Sequence, residues 1–146
     1  MIKLICVGRL KEPHYQAAAA EYMKRLSRYG RTETAEIREC TDKNPEVAKR
    51  KEAELILERI PQSSYVVALD RSGRQRTSEE FSKLLKMENV AFIIGGPVGL
   101  SQEVLDESDA VLSLSELTFP HQLARILLLE QIYRAATILE GGPYHK

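Results

Sequence analysis

The stretch VAFIIGGPVGLS, residues 90–101, contains the pattern that decides the fold. Five consecutive apolar residues are followed by two glycines, a proline and a third glycine, and then by a serine that can cap a helix. A short run that is apolar at every position is typical of a strand covered on both faces. The stretch therefore predicts a buried strand that ends in a glycine-rich turn before a helix.

The same succession of strand, turn and helix extends in both directions along the chain. The apolar runs predict five strands, at residues 2–7, 34–40, 64–69, 90–94 and 110–114. Between and after them, helical spacing and capping residues predict helices at residues 15–29, 44–60, 77–86 and 101–108 and after Pro120. Strands that alternate with helices predict a parallel sheet with helices on both faces. We expect one layered α/β domain spanning residues 1–146.

Composition limits the classes of function. The chain has 146 residues, of which 43% are hydrophobic and 29% charged, as in ordinary globular proteins. Its opening apolar run is too short for a membrane span and lacks the features of a secretory signal, so we expect a cytoplasmic protein without a membrane partner. Cys6 and Cys40 show no metal-ligand spacing, so we expect reduced thiols and no metal.

Charge is unevenly distributed although the formal net charge is zero. The first 31 residues carry seven basic and two acidic side chains, a net charge of +5. A second basic group falls in the turn after the third predicted strand. The candidate RNA contacts in the two groups are Arg9, Lys11, Lys24, Arg25, Arg28, Arg71, Arg74 and Arg76. Such runs are either solvated helix faces or contacts to RNA phosphates, and the zero net charge argues against indiscriminate binding of nucleic acid.

Ligands of parallel α/β sheets bind beyond the carboxyl ends of the strands. That rule selects three loops, at residues 69–73, 95–99 and 114–121. The glycines at 95, 96 and 99 have neither the dinucleotide-binding spacing nor the Lys-Ser/Thr of a phosphate loop. They indicate either a close backbone approach to a ligand or a tight turn that requires positive φ.

The loop SLSELTF, residues 113–119, offers backbone groups and the hydroxyls of Ser115 and Thr118. It suits the edge of a purine, although an ordinary loop with Thr118 as a helix cap has the same pattern. The helix after Pro120 is apolar around more than one face, which predicts a subunit interface. Within it Glu130 and Arg134 are four positions apart and can form an ion pair.

Three segments, FIIGGPVGL, LSLSELTFPHQLARILLLEQIYRA and the closing GGPYHK, jointly resemble the ribosomal RNA large subunit methyltransferase H family. This family belongs to the SPOUT class of S-adenosylmethionine enzymes, and the resemblance extends over the whole chain. Val98 stands where relatives often carry a polar or acidic residue. The segment between Phe81 and Val90 is shorter than is usual in the family.

The resemblance implies a trefoil knot in the C-terminal part of the α/β fold and a homodimer. It implies methyl transfer from S-adenosylmethionine to N3 of a pseudouridine in large-subunit ribosomal RNA, within the assembled ribosome. The alternative is a nonenzymatic ribosome- or RNA-binding protein with the same knotted fold. Small hydrolases and nucleotide-binding enzymes are disfavoured because their motifs are absent.

The same resemblance assigns site residues. The cofactor site is expected to contain Leu69, Gly95, Gly96, Leu114, Ser115, Glu116, Leu117, Thr118 and Phe119. The catalytic candidates are Tyr144, His145, Arg125 and Arg134, and Lys146 joins the basic residues as an RNA contact. Since N3 of a uracil ring must lose a proton, we expect His145 to accept it or an arginine to favour the anionic base.

Overall fold

A single five-stranded parallel sheet organises the computed structural model, which describes all 146 residues. The strands lie in the order β2-β1-β4-β3-β5. Their bounds are β1 Ile2–Val7, β2 Thr32–Ile37, β3 Tyr65–Arg74, β4 Val90–Ile94 and β5 Ala110–Leu112. The predicted parallel α/β fold is therefore confirmed. The helices all fall short of the length and apolar character that a membrane crossing requires.

Helices cover both faces of the sheet, as the uninterrupted apolar strands predict. They are α1 Pro13–Leu26, α2 Pro45–Arg59, α3 Ser78–Ser82, α4 Gln102–Glu107 and α5 His121–Leu139. One core lies between the sheet and α1, α3 and α5, and the other between the sheet and α2 and α4. Side chains of β1 alternate between the two, Leu4 and Cys6 entering the first and Ile5 and Val7 the second. The central strand β4 is buried at every position.

Polar caps set the starts of α2, α3 and α4 where the sequence predicted them, while α1 and α5 begin without a side-chain cap. The side chain of Asn44 accepts a hydrogen bond from the N–H of Glu46 at the start of α2, and Ser101 caps α4 in the same way. Thr77 and Glu80 form a capping box at the start of α3. Helix α3 is only five residues long and continues as one 3-10 turn, Lys83–Lys86.

Strand boundaries differ from prediction at three places, and β3 differs most. It continues past Leu69 to Arg74, through residues that are typical of a turn, because Leu69 and Arg74 both pair with Leu112. Residues 70–73 therefore form a bulge. A Cβ atom at Gly73 would lie 2.6 Å from the carbonyl oxygen of Val111, so only glycine permits this approach. The other differences are smaller: β2 begins and ends earlier than predicted, and β5 ends at Leu112.

The strand order is also consistent with the predicted C-terminal trefoil knot. Because all strands are parallel, every connection passes over a face of the sheet, and those from β2 to β3 and from β4 to β5 also skip at least one strand. Threading of the chain through such a connection stays a prediction. What the order does establish is that β3, β4 and β5 place their carboxyl ends at one edge of the sheet.

Candidate functional site

The loops after β3, β4 and β5 together enclose a cavity of about 620 Å³. It contains parts of all three loops that the sheet rule selected, and the first turn of α5 closes one side. Its lining includes Leu69, Asp70, Arg71, Gly95, Gly96, Leu114, Ser115, Leu117, Thr118, Phe119 and His121. Segments that are far apart in sequence thus form one concave site at the carboxyl edge of the sheet.

All but one of the expected cofactor residues lie in this cavity. The exception is Glu116, which is exposed and lies outside the lining. The cavity also contains Asp70 and His121, which the sequence interpretation did not include. Arg71, expected as an RNA contact, lines the cavity as well. The available sequence signal for Asp70 was its position, as the polar residue that directly follows the apolar run of β3.

The loop of residues 113–119 is held by its own serines and leaves backbone donors free. Ser113 Oγ donates to the carbonyl oxygen of Ser115 at 2.9 Å, and Ser115 Oγ accepts from the N–H of Leu117 at 3.0 Å. The N–H groups of Ser115, Glu116, Thr118 and Phe119 have no acceptor within the chain. A ligand with acceptor atoms at one edge can satisfy such donors.

The glycines of the second loop serve different purposes. Gly95 and Gly96 do not have positive φ, but a Cβ at Gly95 would lie 3.0 Å from the carbonyl carbon of Gly99. A Cβ at Gly96 would lie 3.0 Å from Val7 Cγ1. Gly99 alone has positive φ, at +80°. Close packing therefore accounts for the first two glycines, and backbone conformation for the third.

The C-terminal tail folds back onto α5 and α3. His145 Nε2 lies 2.7 Å from Glu79 Oε1, and His145 Nδ1 lies 3.1 Å from a terminal nitrogen of Arg134. Arg134 also pairs with Glu130 at 2.6 Å and lies 4.9 Å from the ring centroid of Tyr144. Three of the four catalytic candidates, Arg134, Tyr144 and His145, thus form one cluster.

The partners of His145 define its protonation state in this arrangement. A guanidinium only donates hydrogen bonds, so Nδ1 must present its lone pair to Arg134 and Nε2–H must donate to Glu79. His145 is then neutral, with both ring nitrogens engaged. The hydrogen bond from His145 lowers the pKa of Glu79, and the hydrogen bond to Glu130 raises the pKa of Arg134. Burial raises the pKa of the Tyr144 hydroxyl, so it keeps its proton.

Arg125, the fourth catalytic candidate, lies elsewhere. It pairs with Glu36 of β2 at 2.7 Å, and its side chain is 11% exposed. Nine positions separate it from Arg134, which places the two on opposite sides of α5. Its Nε is buried without a hydrogen-bond partner. Beside it, burial raises the pKa of the Cys6 thiol to about 12, so this cysteine is an inert part of the core.

The basic residues expected to contact RNA reach both parts of the site. Arg25 lies 5.4 Å from the ring centroid of Tyr133, whose ring is 4.7 Å from that of Tyr144 in the tail. Arg74 pairs with Glu80 at 3.7 Å. The others on the chain surface are Arg9, Lys11, Lys24, Arg28 and Lys146. His, Cys, Asp and Glu side chains form no cluster of three or more that could hold a metal ion.

Comparisons with known proteins agree on one family. A family model described as "Predicted SPOUT methyltransferase" matches residues 1–145. The chain is 48% identical over 154 residues to the ribosomal RNA large subunit methyltransferase H of Caldicellulosiruptor saccharolyticus, with all of both chains covered. It is 47% identical over 157 residues to the protein of the same name from Clostridium kluyveri, with 99% of each covered.

A solved structure extends the agreement to the fold. The structure of a probable methylase family protein from Haemophilus influenzae Rd KW20 matches with a TM-score of 0.60 at 16% identity. The match covers 99% of this chain and 70% of that chain. At this identity the match concerns the fold alone.

Proposed function

Because the chain belongs to the ribosomal RNA large subunit methyltransferase H family of SPOUT methyltransferases, we propose that it methylates N3 of a pseudouridine in large-subunit ribosomal RNA. The methyl donor is S-adenosylmethionine, as is general for SPOUT enzymes, and no metal takes part. The names of the relatives support ribosomal RNA as the substrate. The observation that carries the proposal is the closure of three loops, after β3, β4 and β5, around one cavity.

The cavity fits the proposed cofactor in size and chemistry. Its volume of about 620 Å³ lies within the range of small-molecule sites. Leu114 and Phe119 offer apolar contacts to the faces of an adenine ring, and the free N–H groups of residues 115–119 suit its acceptor edge. Asp70 adds a carboxylate that can accept from hydroxyl or ammonium groups. When bound, S-adenosylmethionine supplies an electrophilic methyl carbon.

The remaining tasks fall to the chain's own residues. Holding N3 in line with the methyl carbon is worth about 7 to 11 kcal/mol. His145 accepts the N3 proton, which requires its Nδ1 to leave Arg134, since both ring nitrogens are otherwise engaged. Arg134 keeps its charge and then favours the anionic base. Tyr144 lies against Arg134 and offers an aromatic face to the same base.

The apolar surface of helix α5 supports a homodimer. Apolar residues occur around the whole helix, and several of them are only partly buried in the single chain. They include Leu123, Ile126, Ile138 and Leu139. A second copy of the chain would cover them. Arg125, on the opposite side of α5 from Arg134, forms an ion pair with Glu36 of its own subunit.

RNA docking involves the basic residues around the cavity and the tail. Each phosphate that a lysine or arginine neutralises contributes through release of counterions. The zero net charge favours a composite surface on the assembled ribosome over naked RNA. The protein then acts in the cytoplasm, where that substrate is present.

The experiment compares ribosomal RNA from cells with and without this protein. Primer extension and mass spectrometry of the large-subunit RNA should reveal one N3-methylpseudouridine that is lost with the protein. Purified protein, S-adenosylmethionine and ribosomes from the deficient cells should restore it. Unchanged modification would contradict the proposal. Absence of heat in calorimetry with S-adenosylmethionine would instead favour the nonenzymatic RNA-binding alternative.

A further inference from the structure

A second cavity of about 330 Å³ adjoins the first. The two share Leu112, Ser113, Leu114 and Phe119, so a thin wall of side chains separates them. The remaining lining residues of the second cavity are Arg76, Ser78, Phe81, Leu127 and Gln131. It therefore lies between the proposed cofactor site and helices α3 and α5, which hold the tail cluster.

Arg76 lacks a hydrogen-bond acceptor within the chain, and a ligand could provide one. It is the one charged residue in the lining of the second cavity, and no carboxylate of the chain pairs with it. The neighbouring Glu79 and Glu80 are engaged by His145 and Arg74. Arg76 Nε is buried and has no hydrogen-bond acceptor. A buried donor without a partner is costly, and an acceptor atom from outside the chain would satisfy it.

The rest of the lining suits a flat ring with polar edges. Phe81, Leu114 and Phe119 provide apolar surface, while Ser78 and Gln131 stand at one side, joined by a hydrogen bond of 2.8 Å. Gln131 also donates to Glu130, which pairs with Arg134 of the tail cluster. The polar side of the second cavity is thus connected by hydrogen bonds to the residues proposed to handle the proton.

From these observations we infer that the second cavity receives the target uracil-type base, with Arg76 donating to a carbonyl oxygen of its ring. This rests on the proposed function, because an acceptor must lie beside the methyl donor. Arg76 is thereby a substrate-binding residue, which goes beyond the phosphate contact expected from the sequence. Its positive charge also favours the anionic form of the ring after N3 loses its proton.

Two variants test the inference from different directions. Arg76→Ala removes the donor, and Leu127→Trp fills the second cavity without touching the first, which Leu127 does not line. Each should lower kcat/KM for methylation of ribosomes by about 10- to 100-fold, the effect of removing a charged hydrogen bond. Affinity for S-adenosylmethionine, measured by calorimetry, should stay within about twofold. Arg76→Lys should recover part of the activity.

Arg50→Ala is the matched control, since it removes one exposed positive charge from α2 on the opposite face of the sheet. It should leave kcat/KM unchanged. The inference is wrong if the Arg76→Ala and Leu127→Trp variants both fold and bind S-adenosylmethionine but keep the wild-type kcat/KM. A changed oligomeric state of Arg76→Ala in sedimentation would also overturn it, because the cavity would then be a subunit contact. A wild-type protein that forms no N3-methylpseudouridine would contradict the proposed function itself.

Discussion

His145 shows how a single side chain can be held in readiness by its neighbours. Glu79 and Arg134 fix its neutral tautomer and its ring orientation, while the lone pair that would accept a proton faces a guanidinium. A neutral imidazole is the form that a proton acceptor needs. If His145 is the proton acceptor, as proposed, the arrangement keeps Nδ1 free of a proton, and release of the Arg134 hydrogen bond makes its lone pair available.

Replacement of His145 by alanine should lower turnover far more than it affects cofactor binding. If His145 accepts the N3 proton, kcat should fall by about 10² to 10⁴, the usual contribution of a general base. Single-turnover methylation of ribosomes and calorimetry with S-adenosylmethionine measure the two effects separately. His14→Ala, which removes an exposed histidine of α1, is the control. A near wild-type rate for His145→Ala would contradict its role as proton acceptor. Electrostatic activation of N3 by Arg134 would then remain.

Glu52 is a second residue with a specific consequence, this time for stability. It is 2% exposed, one carboxylate oxygen accepts from the N–H of Cys40 at 2.8 Å, and the other has no partner. Burial raises its pKa above the usual value of 4.5. Ionisation of Glu52 therefore destabilises the folded state. The free energy of unfolding decreases as the pH rises from about 4.5 through the raised pKa.

We expect Glu52→Gln to be more stable than the wild type at neutral pH. Glutamine keeps an acceptor for Cys40 and carries no charge, so the variant avoids the destabilisation that accompanies ionisation. The difference in free energy of unfolding should shrink as the pH falls below about 4.5. Urea unfolding at several pH values measures it. A difference that does not vary with pH would show that Glu52 is not responsible.

Individual residues also show what the sequence could and could not predict. Helical geometry alone separates Arg125 from Arg134, so their division between two places was predictable from their spacing. The roles of Gly95 and Gly96 were not, because the atoms that exclude a Cβ belong to Leu100, Gly99 and Val7. Such contacts form only when the elements are packed together.

Among the elements, β3 departs most from its sequence pattern. Asp70, Ser72 and Gly73 are typical turn residues, and the local sequence has no signal for a strand there. Pairing of Arg74 with Leu112 nevertheless extends the strand beyond its bulge. The pairing holds both ends of the bulge that contains Asp70 and Arg71, two residues of the cavity lining, through a long-range contact that local propensity opposes.

Gly73→Ala should disrupt this element. Its Cβ would contact the backbone of Val111, which cannot move without breaking the pairing of β3 with β5. We expect a decrease of about 1 to 3 kcal/mol in the free energy of unfolding, the range for an overpacked site. Thermal unfolding provides the measurement. Gly142→Ala is the control, because its Cβ would lie 3.5 Å from the nearest atom, at ordinary contact distance. Equal stabilities of the two variants would contradict the role assigned to Gly73.

For the molecule as a whole, the sequence predicted the layers, and the assembly of the site depended on distant contacts. Apolar strands and capped helices were sufficient to predict a parallel sheet covered on both faces. The tail shows why the rest was not predictable. His145 meets Glu79 across 66 positions, and nothing in the local sequence of either residue indicates the other. The knot was expected from family resemblance alone, since general topology rules disfavour it.

Affinity for ribosomes should depend on salt through the basic surface of the whole molecule. Replacement of both Lys24 and Arg28 by alanine should reduce the slope of log affinity against log salt by about 0.7 to 0.9 for each phosphate that these side chains neutralise. Filter binding at several salt concentrations measures the slope. Arg59→Ala, on the α2 side of the sheet, is the control. An unchanged slope would show that Lys24 and Arg28 are solvated and do not contact phosphates.

The two chain termini differ in what can be joined to them. The amino group of Met1 donates to the carbonyl oxygen of Glu88 beside the start of β4. All strands are parallel, so this end lies at the edge of the sheet away from the cavity. Lys146, in contrast, follows directly after the imidazole that contacts Glu79. An affinity tag for purification therefore belongs before Met1, because a tag after Lys146 would extend from the residue that follows the proposed proton acceptor.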